Sequence, residues 1–189
     1  MKIAFIIYDM MTTLDFIGAY DPLTRLKTMG FINDLEYDVC SNKNKVVSVE
    51  GLMITLDKVL NNLSEYDFIV VPGGSGVKDI VQDKEFIEWI KTAHGKSTIT
   101  SVCGGSIILG VAGLLKDKKA TTHPMLMEHL KKFTPYATDK RIVEDGNIIT
   151  ARGVTSSVDL GLFLCEKIAG KEIREKIQKQ MDYLTYNCD

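Results

Sequence analysis

Residues 98–110 read TITSVCGGSIILG, an apolar run that passes through Cys-Gly-Gly into a second apolar run. Residues 98–102 have the composition of a central strand, and residues 106–112 that of a short apolar helix ending at Gly113. The pattern places Cys103 at the turn between a strand and a helix. Because two glycines follow it, the chain can turn sharply there and a substrate can approach the backbone.

Strands and helices alternate on both sides of this stretch. Residues 2–8 form a nearly unbroken apolar run, and helical recurrence follows over residues 14–29. Residues 67–71, DFIVV, end in Pro-Gly-Gly-Ser-Gly, and residues 77–81 and 86–94 then show helical spacing. Apolar rather than alternating strands are typical of parallel sheets covered on both faces. The sequence therefore predicts an α/β sandwich around a mainly parallel sheet.

The rest of the chain predicts shorter elements within one domain. With 189 residues and no repeat, linker or low-complexity stretch, the chain is predicted to form a single domain over residues 1–189. Further elements are expected as strands over residues 35–41, 45–49, 52–56 and 120–123, a hairpin over residues 141–151, and helices over residues 124–132, 156–168 and 171–184.

Composition argues against several classes of function. The net charge is −2 and the 23 Lys and Arg residues are spread along the chain, so the electrostatic footprint of a nucleic-acid binder is missing. No run approaches the roughly 18 apolar residues of a membrane span, and the opening residues do not resemble a secretory signal. We therefore expect a cytoplasmic protein that binds a small molecule, with no nucleic-acid or membrane partner.

The cysteines and histidines favour neither disulfides nor a metal site. Cys40, Cys103, Cys165 and Cys188 are irregularly spaced in a chain too large to need disulfides, so free thiols are expected. The three histidines show no ligand spacing such as HExxH, so no metal is expected. Cys40 and Cys165 are interpreted as small buried hydrophobes and Cys188 as an exposed tail residue.

Cys103 admits two interpretations. In open α/β sheets, ligands collect at the carboxyl ends of the strands, where helix amino ends present free N–H groups. A thiol at such a positive end can have a pKa below its usual value of about 8.5, which favours the reactive thiolate. Free cysteines are also often buried and inert. The hinge position favours a reactive thiol.

A nucleophilic thiol needs a proton-handling group within hydrogen-bond reach. Asp15 begins the helix after the first strand, at a turn expected to open on the same sheet edge, but it equally suits a first-turn acid favoured by the helix dipole. His123 ends another extended segment and can be either a partner of the thiol or a structural histidine. Amides of the Gly-Gly turn after residues 67–71 and amides after Cys103 can pair as donors to an oxyanion.

Four segments, in order, resemble the ThiJ/PfpI superfamily, which is related to class I glutamine amidotransferases and includes the parkinsonism-associated protein. They are IAFIIYDMMTTLDFIGAYD, DFIVVPGGSG, TSVCGGSIILGVAGLLKDKKATTHP and ITARGVTSSVDLGL, and the resemblance covers essentially the whole chain. The pattern is most similar to the isonitrile hydratase-like branch, in which an LDF-type segment carries a catalytic Asp and a SVCTGS-type elbow carries the nucleophile.

The resemblance implies a flavodoxin-like three-layer sandwich with Cys103 at a strained turn called a nucleophile elbow, and usually a homodimer. It assigns Cys103 as nucleophile, Asp15 as acid and base, and the amides near Gly74 and Gly104 as the oxyanion site, with His123 a further candidate for substrate binding. Gly104 stands where the hydratases typically have Thr. Since the residue after the nucleophile touches the pocket, the identity of the substrate stays open.

The activity that the resemblance implies is cofactor-free hydration of a small isonitrile-like substrate to an N-substituted formamide. One alternative is a glyoxalase- or deglycase-like enzyme acting on small aldehydes. Another is a non-catalytic redox sensor or stress-protective protein whose thiol is oxidised. The ligand-sensing half of a transcription regulator is disfavoured, because the chain after the sandwich leaves no room for a helix-turn-helix module.

Overall fold

A six-stranded sheet forms the centre of the protein in a computed structural model that describes residues 1–56, 59–93, 95 and 97–189. The strands among these residues are, in chain order, β1 (Lys2–Ile6), β2 (Glu36–Cys40), β3 (Lys45–Val47), β4 (Met53–Thr55), β5 (Phe68–Val71), β6 (Thr98–Val102), β7 (Ile142–Asp145) and β8 (Ile148–Ala151). The sheet has the order β2-β1-β5-β6-β8-β7, and all neighbours are parallel except β7 and β8. β3 and β4 form a separate antiparallel pair, the β3–β4 hairpin.

Helices flank the sheet. Among the described residues they are α1 (Thr13–Thr28), α2 (Val77–Ile80), α3 (Lys84–Lys91), α4 (Gly105–Val111), α5 (Met127–Leu130), α6 (Ser156–Ala169) and α7 (Lys171–Gln180). α1, α6 and α7 pack together, while α2, α3 and α5 pack on α4. β1, β5, β6 and β8 are almost completely buried, which confirms the prediction of a mainly parallel sheet with both faces covered. None of the helices described is long and apolar enough to cross a membrane.

Three neighbouring strands end together at one edge of the sheet. Val71 of β5 pairs with Ser101 of β6, and Val102 of β6 pairs with Ala151 of β8. The loops that follow these strands therefore open at the same place, as parallel strands require. One of them contains Cys103.

α1 is held against α6 by close packing at two glycines. A Cβ built at Gly161 would overlap a proline of α1, and one at Gly18 would overlap the Ser157 side chain. The Ser157 hydroxyl also donates to the Leu14 carbonyl at 3.0 Å. This packing fixes the first turn of α1 beside the first turn of α6.

The prediction of a strand over residues 120–123 is wrong. This segment contributes a single isolated bridge, to Ala137, and threonine side chains hold it in place of a ladder. The Thr121 amide donates to a threonine hydroxyl of β8 at 2.8 Å, and the Thr122 hydroxyl donates to the Cys103 carbonyl at 2.9 Å. The segment is thus tied to the loop edge of the sheet by side chains.

Three predicted helices differ from those observed. The helix expected over residues 124–132 is a 3-10 turn, Pro124–Leu126, followed by α5, and the one expected over residues 171–184 ends at Gln180. The helix expected over residues 86–94 ends at Lys91, and His94 lies outside the described residues.

The four cysteines have the states expected from the sequence. All are free; Cys40 and Cys165 are buried, and Cys188 is exposed. Within the described ranges, no three His, Cys, Asp or Glu side chains are grouped so as to hold a metal ion.

Candidate active site

Cys103 lies between β6 and α4 with a left-handed backbone, φ 55°. This conformation costs a residue other than glycine about 1–2 kcal/mol. Hydrogen bonds on both sides hold it: the Cys103 amide donates to the Ala151 carbonyl at 3.0 Å, and the Cys103 carbonyl accepts from the Ser106 and Thr122 hydroxyls at 3.1 and 2.9 Å. The chain thus forms a strained elbow, with the Cys103 side chain only 9% exposed.

Asp15 lies in the first turn of α1, completely buried beside this elbow. Its Oδ2 accepts from the Gly73 amide at 2.9 Å, and its Oδ1 has no protein partner among the described residues. A Cβ built at Gly73 would lie 2.5 Å from the Gly104 nitrogen, 2.9 Å from Asp15 Oδ2 and 3.0 Å from Cys103 Cβ. The acid, the thiol residue and the first amide after the thiol therefore converge on Gly73.

Glycines allow two loops to touch and so bring Asp15 to the elbow. The Thr12 amide donates to the Gly73 carbonyl and the Gly76 amide donates to the Met10 carbonyl, both at 3.0 Å. A Cβ at Gly74, where φ is 126°, would overlap the backbone of Met10 and Thr12. Only glycine fits there, since both the space and the dihedral exclude a side chain.

The β3–β4 hairpin caps the start of α1. The residue preceding the helix, Thr12, makes no side-chain capping bond. Instead the Glu50 carboxylate accepts from the Thr13 amide at 3.0 Å and from the Thr13 hydroxyl, whose oxygen is hydrogen-bonded to the Ser48 hydroxyl at 2.8 Å. These bonds hold the pKa of Glu50 below its usual value, so a charged side chain from a distant segment satisfies the helix N-terminus.

The acid and the thiol shift each other's protonation. Burial raises the pKa of Asp15 to about 7, against the lowering effect of the Gly73 amide and the Cys103 thiol, and the charge of Glu50 raises it further. Burial, followed by the charge of Asp15, raises the pKa of Cys103 to about 12, although the Gly104 amide opposes this. The prediction of a lowered thiol pKa is therefore wrong, because burial and a neighbouring carboxylate outweigh the short α4. At neutral pH the site holds a thiol beside a carboxyl group that is partly ionised.

Tyr8 is a buried neighbour of this pair that the sequence did not single out. Its hydroxyl donates to the Pro72 carbonyl at 2.8 Å, directly before the Gly-Gly turn. Burial, with the charges of Asp15 and Cys103, raises its pKa well above the usual value, so it stays a donor. Since it lies two residues after β1, within the apolar run of residues 2–8, nothing in the sequence pattern distinguishes it from a core aromatic residue.

The two predicted oxyanion amides differ in their relation to the thiol. A hydrogen bond from the Gly104 amide lowers the pKa of the Cys103 thiol. Within the described part of the chain, the Gly74 amide donates to no protein acceptor. The Gly104 amide is thus placed to meet charge that develops on a reactant at Cys103, while the contacts of Gly74 are with the loop at residues 10–12.

His123 does not join the acid and thiol pair. Its Nδ1 accepts from the Met125 amide at 3.3 Å, and its ring lies against Gly153. Among the described residues, no hydrogen bond links the ring to Cys103 or Asp15. The side chain caps the turn that follows it.

The pH dependence of alkylation at Cys103 tests this protonation scheme. We expect the rate with iodoacetamide, measured by mass spectrometry in a Cys188→Ser background, to rise up to about pH 7 and then level off. The reason is that ionised Asp15 accepts the thiol proton and titrates at about 7. In Asp15→Asn the levelling near pH 7 should disappear. A wild-type rate that is flat from pH 5 upward would indicate a thiolate of low pKa and contradict the scheme.

Comparisons with known proteins identify relatives of this chain. The DJ-1/PfpI family pattern matches residues 1–167. The chain is 31% identical over 184 residues to an isonitrile hydratase from Pseudomonas putida, covering 97% of this chain and 78% of that protein. It is 30% identical over 173 residues to protein DJ-1alpha from Drosophila melanogaster, covering 89% and 77%. The crystal structure of a ThiJ/PfpI family protein from Pseudomonas syringae superposes with a TM-score of 0.87 at 30% identity, covering 97% and 75%.

Proposed function

Because the chain belongs to the DJ-1/PfpI family, as its four segments predicted, we propose that it is a cysteine-dependent hydratase that converts small isonitriles into N-substituted formamides. The observation that carries the proposal is the convergence of Asp15, Cys103 and the Gly104 amide on Gly73. The similarity to an isonitrile hydratase supports the choice of substrate class.

In the first half of the reaction, the Asp15 carboxylate takes the thiol proton as Cys103 sulfur bonds to the terminal carbon of the isonitrile. Asp15 then delivers that proton to the same carbon. The product is a thioimidate, R–N=CH–S–Cys103, with the carboxylate restored. A pKa of about 7 suits a group that must accept and donate a proton near neutrality.

In the second half, water adds to the thioimidate carbon while Asp15 takes its proton and passes it to nitrogen. The resulting intermediate, R–NH–CH(OH)–S–Cys103, breaks its carbon–sulfur bond. Asp15 moves the hydroxyl proton to the leaving sulfur, which gives R–NH–CHO and the free thiol. The amide of Gly104 is suited to stabilise the oxygen as negative charge grows on it.

The protonated resting thiol also bears on the redox-sensor alternative. Thiolates are the species that peroxide oxidises, so a thiol whose pKa is raised to about 12 is a poor sensor at neutral pH. A protonated thiol beside a carboxyl group that titrates at about 7 suits proton-coupled addition better. The glyoxalase-like alternative uses the same pair and differs only in substrate.

A product assay separates these functions. We expect wild-type protein to convert small alkyl or aryl isonitriles into formamides, detected by chromatography and mass spectrometry, with Cys103→Ser as the blank for uncatalysed hydration. The same preparation is assayed with methylglyoxal for lactate. Lactate without formamide would replace the proposal by the glyoxalase-like activity, and neither product together with rapid oxidation of Cys103 by dilute peroxide would favour the sensor.

The homodimer implied by the resemblance, and the cytoplasmic location, stay predictions. Apolar side chains of α1 and the β3–β4 hairpin are available for a contact between copies, because they are large and exposed: Leu14, Ile17, Val49, Leu52 and Met53. Light scattering on the purified chain would show whether it is a dimer.

A further inference from the structure

The side chains around position 104 explain why glycine stands there, whereas its backbone conformation does not require glycine. Gly104 has ordinary helical dihedrals, φ −68° and ψ −7°, which any residue can adopt. A Cβ built there would lie 3.1 Å from Val77 Cγ2 and 3.2 Å from Leu126 Cδ1. Two apolar side chains therefore already occupy the space into which a side chain at position 104 would extend.

The Leu126 side chain comes from a short turn that is held at its start. In the 3-10 turn Pro124–Leu126, the Leu126 amide donates to the His123 carbonyl at 2.8 Å. The His123 ring caps the same turn by accepting from the Met125 amide at 3.3 Å. A Cβ built at Gly153 would be 3.1 Å from His123 Cδ2, so the ring is braced against the loop after β8. The position of Leu126 over Gly104 thus depends on His123.

We propose that Leu126 is a specificity-determining residue that closes the Gly104 side of the site with an apolar wall, and that His123 is its positioning residue. The wall carries no hydrogen-bonding group, and it lies against Gly104, the residue that follows the nucleophile. It admits reactants whose reacting end is slender and whose substituent is apolar, and it excludes branched or polar substituents at that end.

The assignment of a substrate class rests on the proposed function. An isocyano group is linear and two atoms long, so it reaches Cys103 past such a wall when its substituent is an unbranched alkyl chain. The wall therefore selects n-alkyl isonitriles over tert-alkyl isonitriles. Access to the thiol itself can be tested without any turnover.

Labelling of Cys103 with maleimides of two sizes tests the wall directly. In a Cys188→Ser background, the rate ratio of N-cyclohexylmaleimide to N-methylmaleimide is measured by intact mass. Leu126→Ala is expected to raise this ratio about tenfold or more, the range in which apolar pockets discriminate size. Leu126→Met, which conserves volume, should leave it within about twofold. Met125→Ala is the matched control, because Met125 lies on the same turn and is 83% exposed.

His123 variants test the positioning role. His123→Ala removes the cap and is expected to raise the labelling ratio several-fold, whereas His123→Asn keeps an acceptor for the amide two residues on and should restore the wild-type ratio. A general loss of structure would not be rescued by Asn. Thermal unfolding checks that each variant is folded.

The outcomes separate the wall from the proposed function. An unchanged ratio in folded Leu126→Ala, or an equal change in Met125→Ala, overturns the wall even if isonitriles are hydrated. A ratio that changes as expected without any formamide overturns the proposed function and leaves the wall in place. If both hold, Leu126→Ala should also raise kcat/KM for tert-butyl relative to n-butyl isonitrile by about tenfold.

Discussion

Asp15→Asn is expected to lower formamide production by about 10²- to 10⁴-fold and at the same time to make the protein more stable at pH 8. The loss of activity follows because the amide can neither accept the thiol proton nor return it to carbon. The gain in stability follows because the wild-type protein must bury a charged carboxylate at pH 8, and the neutral amide removes that cost. Together the two changes are the signature of a group kept for chemistry at the expense of stability.

The sign of the stability change depends on pH. Asp15 has a folded pKa of about 7 against 3.8 for an ordinary carboxyl, so between these values the folded chain holds a proton that the unfolded chain has released. The stability this provides is present below 3.8 and lost as pH rises through 7. The difference corresponds to an upper limit on the order of 4 kcal/mol. Since Asn also keeps an acceptor for the Gly73 amide, we expect a gain of about 1–3 kcal/mol at pH 8 and almost none at pH 4.

Urea denaturation of wild type and variant at pH 4 and pH 8 measures this gain. Asp21→Asn is the matched control, because Asp21 lies on the same helix and pairs with Arg25 at the surface. We expect that variant to retain turnover and to show no gain at pH 8. If Asp15→Asn instead loses stability equally at both pH values, Asp15 is a structural cap.

Gly73→Ala is expected to reduce turnover by at least about 10³-fold. The added methyl would lie 2.5 Å from the Gly104 nitrogen and 2.9 Å from Asp15 Oδ2, so the acid and the elbow must move apart. Misplacement of reacting groups by about 1 Å can cost about 10²-fold, and the lost proton transfer adds to it. Overpacking of this kind also destabilises by about 1–3 kcal/mol.

A matched glycine separates this effect from the general cost of replacing glycine. Gly170, with φ 88°, ends α6 and has open space where a Cβ would be. Gly170→Ala should therefore lose about 1 kcal/mol from its dihedral and keep full turnover. Formamide assays and urea denaturation on both variants make the comparison. Turnover in Gly73→Ala within tenfold of wild type would show that the acid and the thiol do not act across this contact.

Most of the fold could be predicted from the runs of apolar residues in the sequence. The buried central strands and the position of Cys103 at a strand end could be predicted, because parallel sheets need continuous apolar segments and a turn needs glycine. The segment at residues 120–123 could not, because threonine side chains bond it to the rest of the sheet: the Thr121 amide donates to a threonine hydroxyl of β8, and the Thr122 hydroxyl donates to the Cys103 carbonyl. Local sequence patterns do not indicate hydrogen-bond partners that are distant in the chain.

Two residues of the candidate site could be predicted from the sequence, but its electrostatics could not. Asp15 and Cys103 meet as expected, but the direction of the thiol pKa depends on burial and on the charge facing it, which are properties of the folded chain. Leu126 and Glu50 carry no sequence signal at all. Each acts through a contact with a residue more than 20 positions away, at Gly104 and Thr13 respectively.

The capping of α1 by Glu50 connects the β3–β4 hairpin to the helix turn that carries Asp15. The amide of Thr13 can exchange with solvent only when the Glu50 carboxylate leaves it, and Asp15 lies two residues further along the same turn. Opening of the hairpin therefore removes the cap from the first turn of the helix. In deuterated solvent, the protection of Thr13 should follow that of the hairpin amides and not that of the middle of α1.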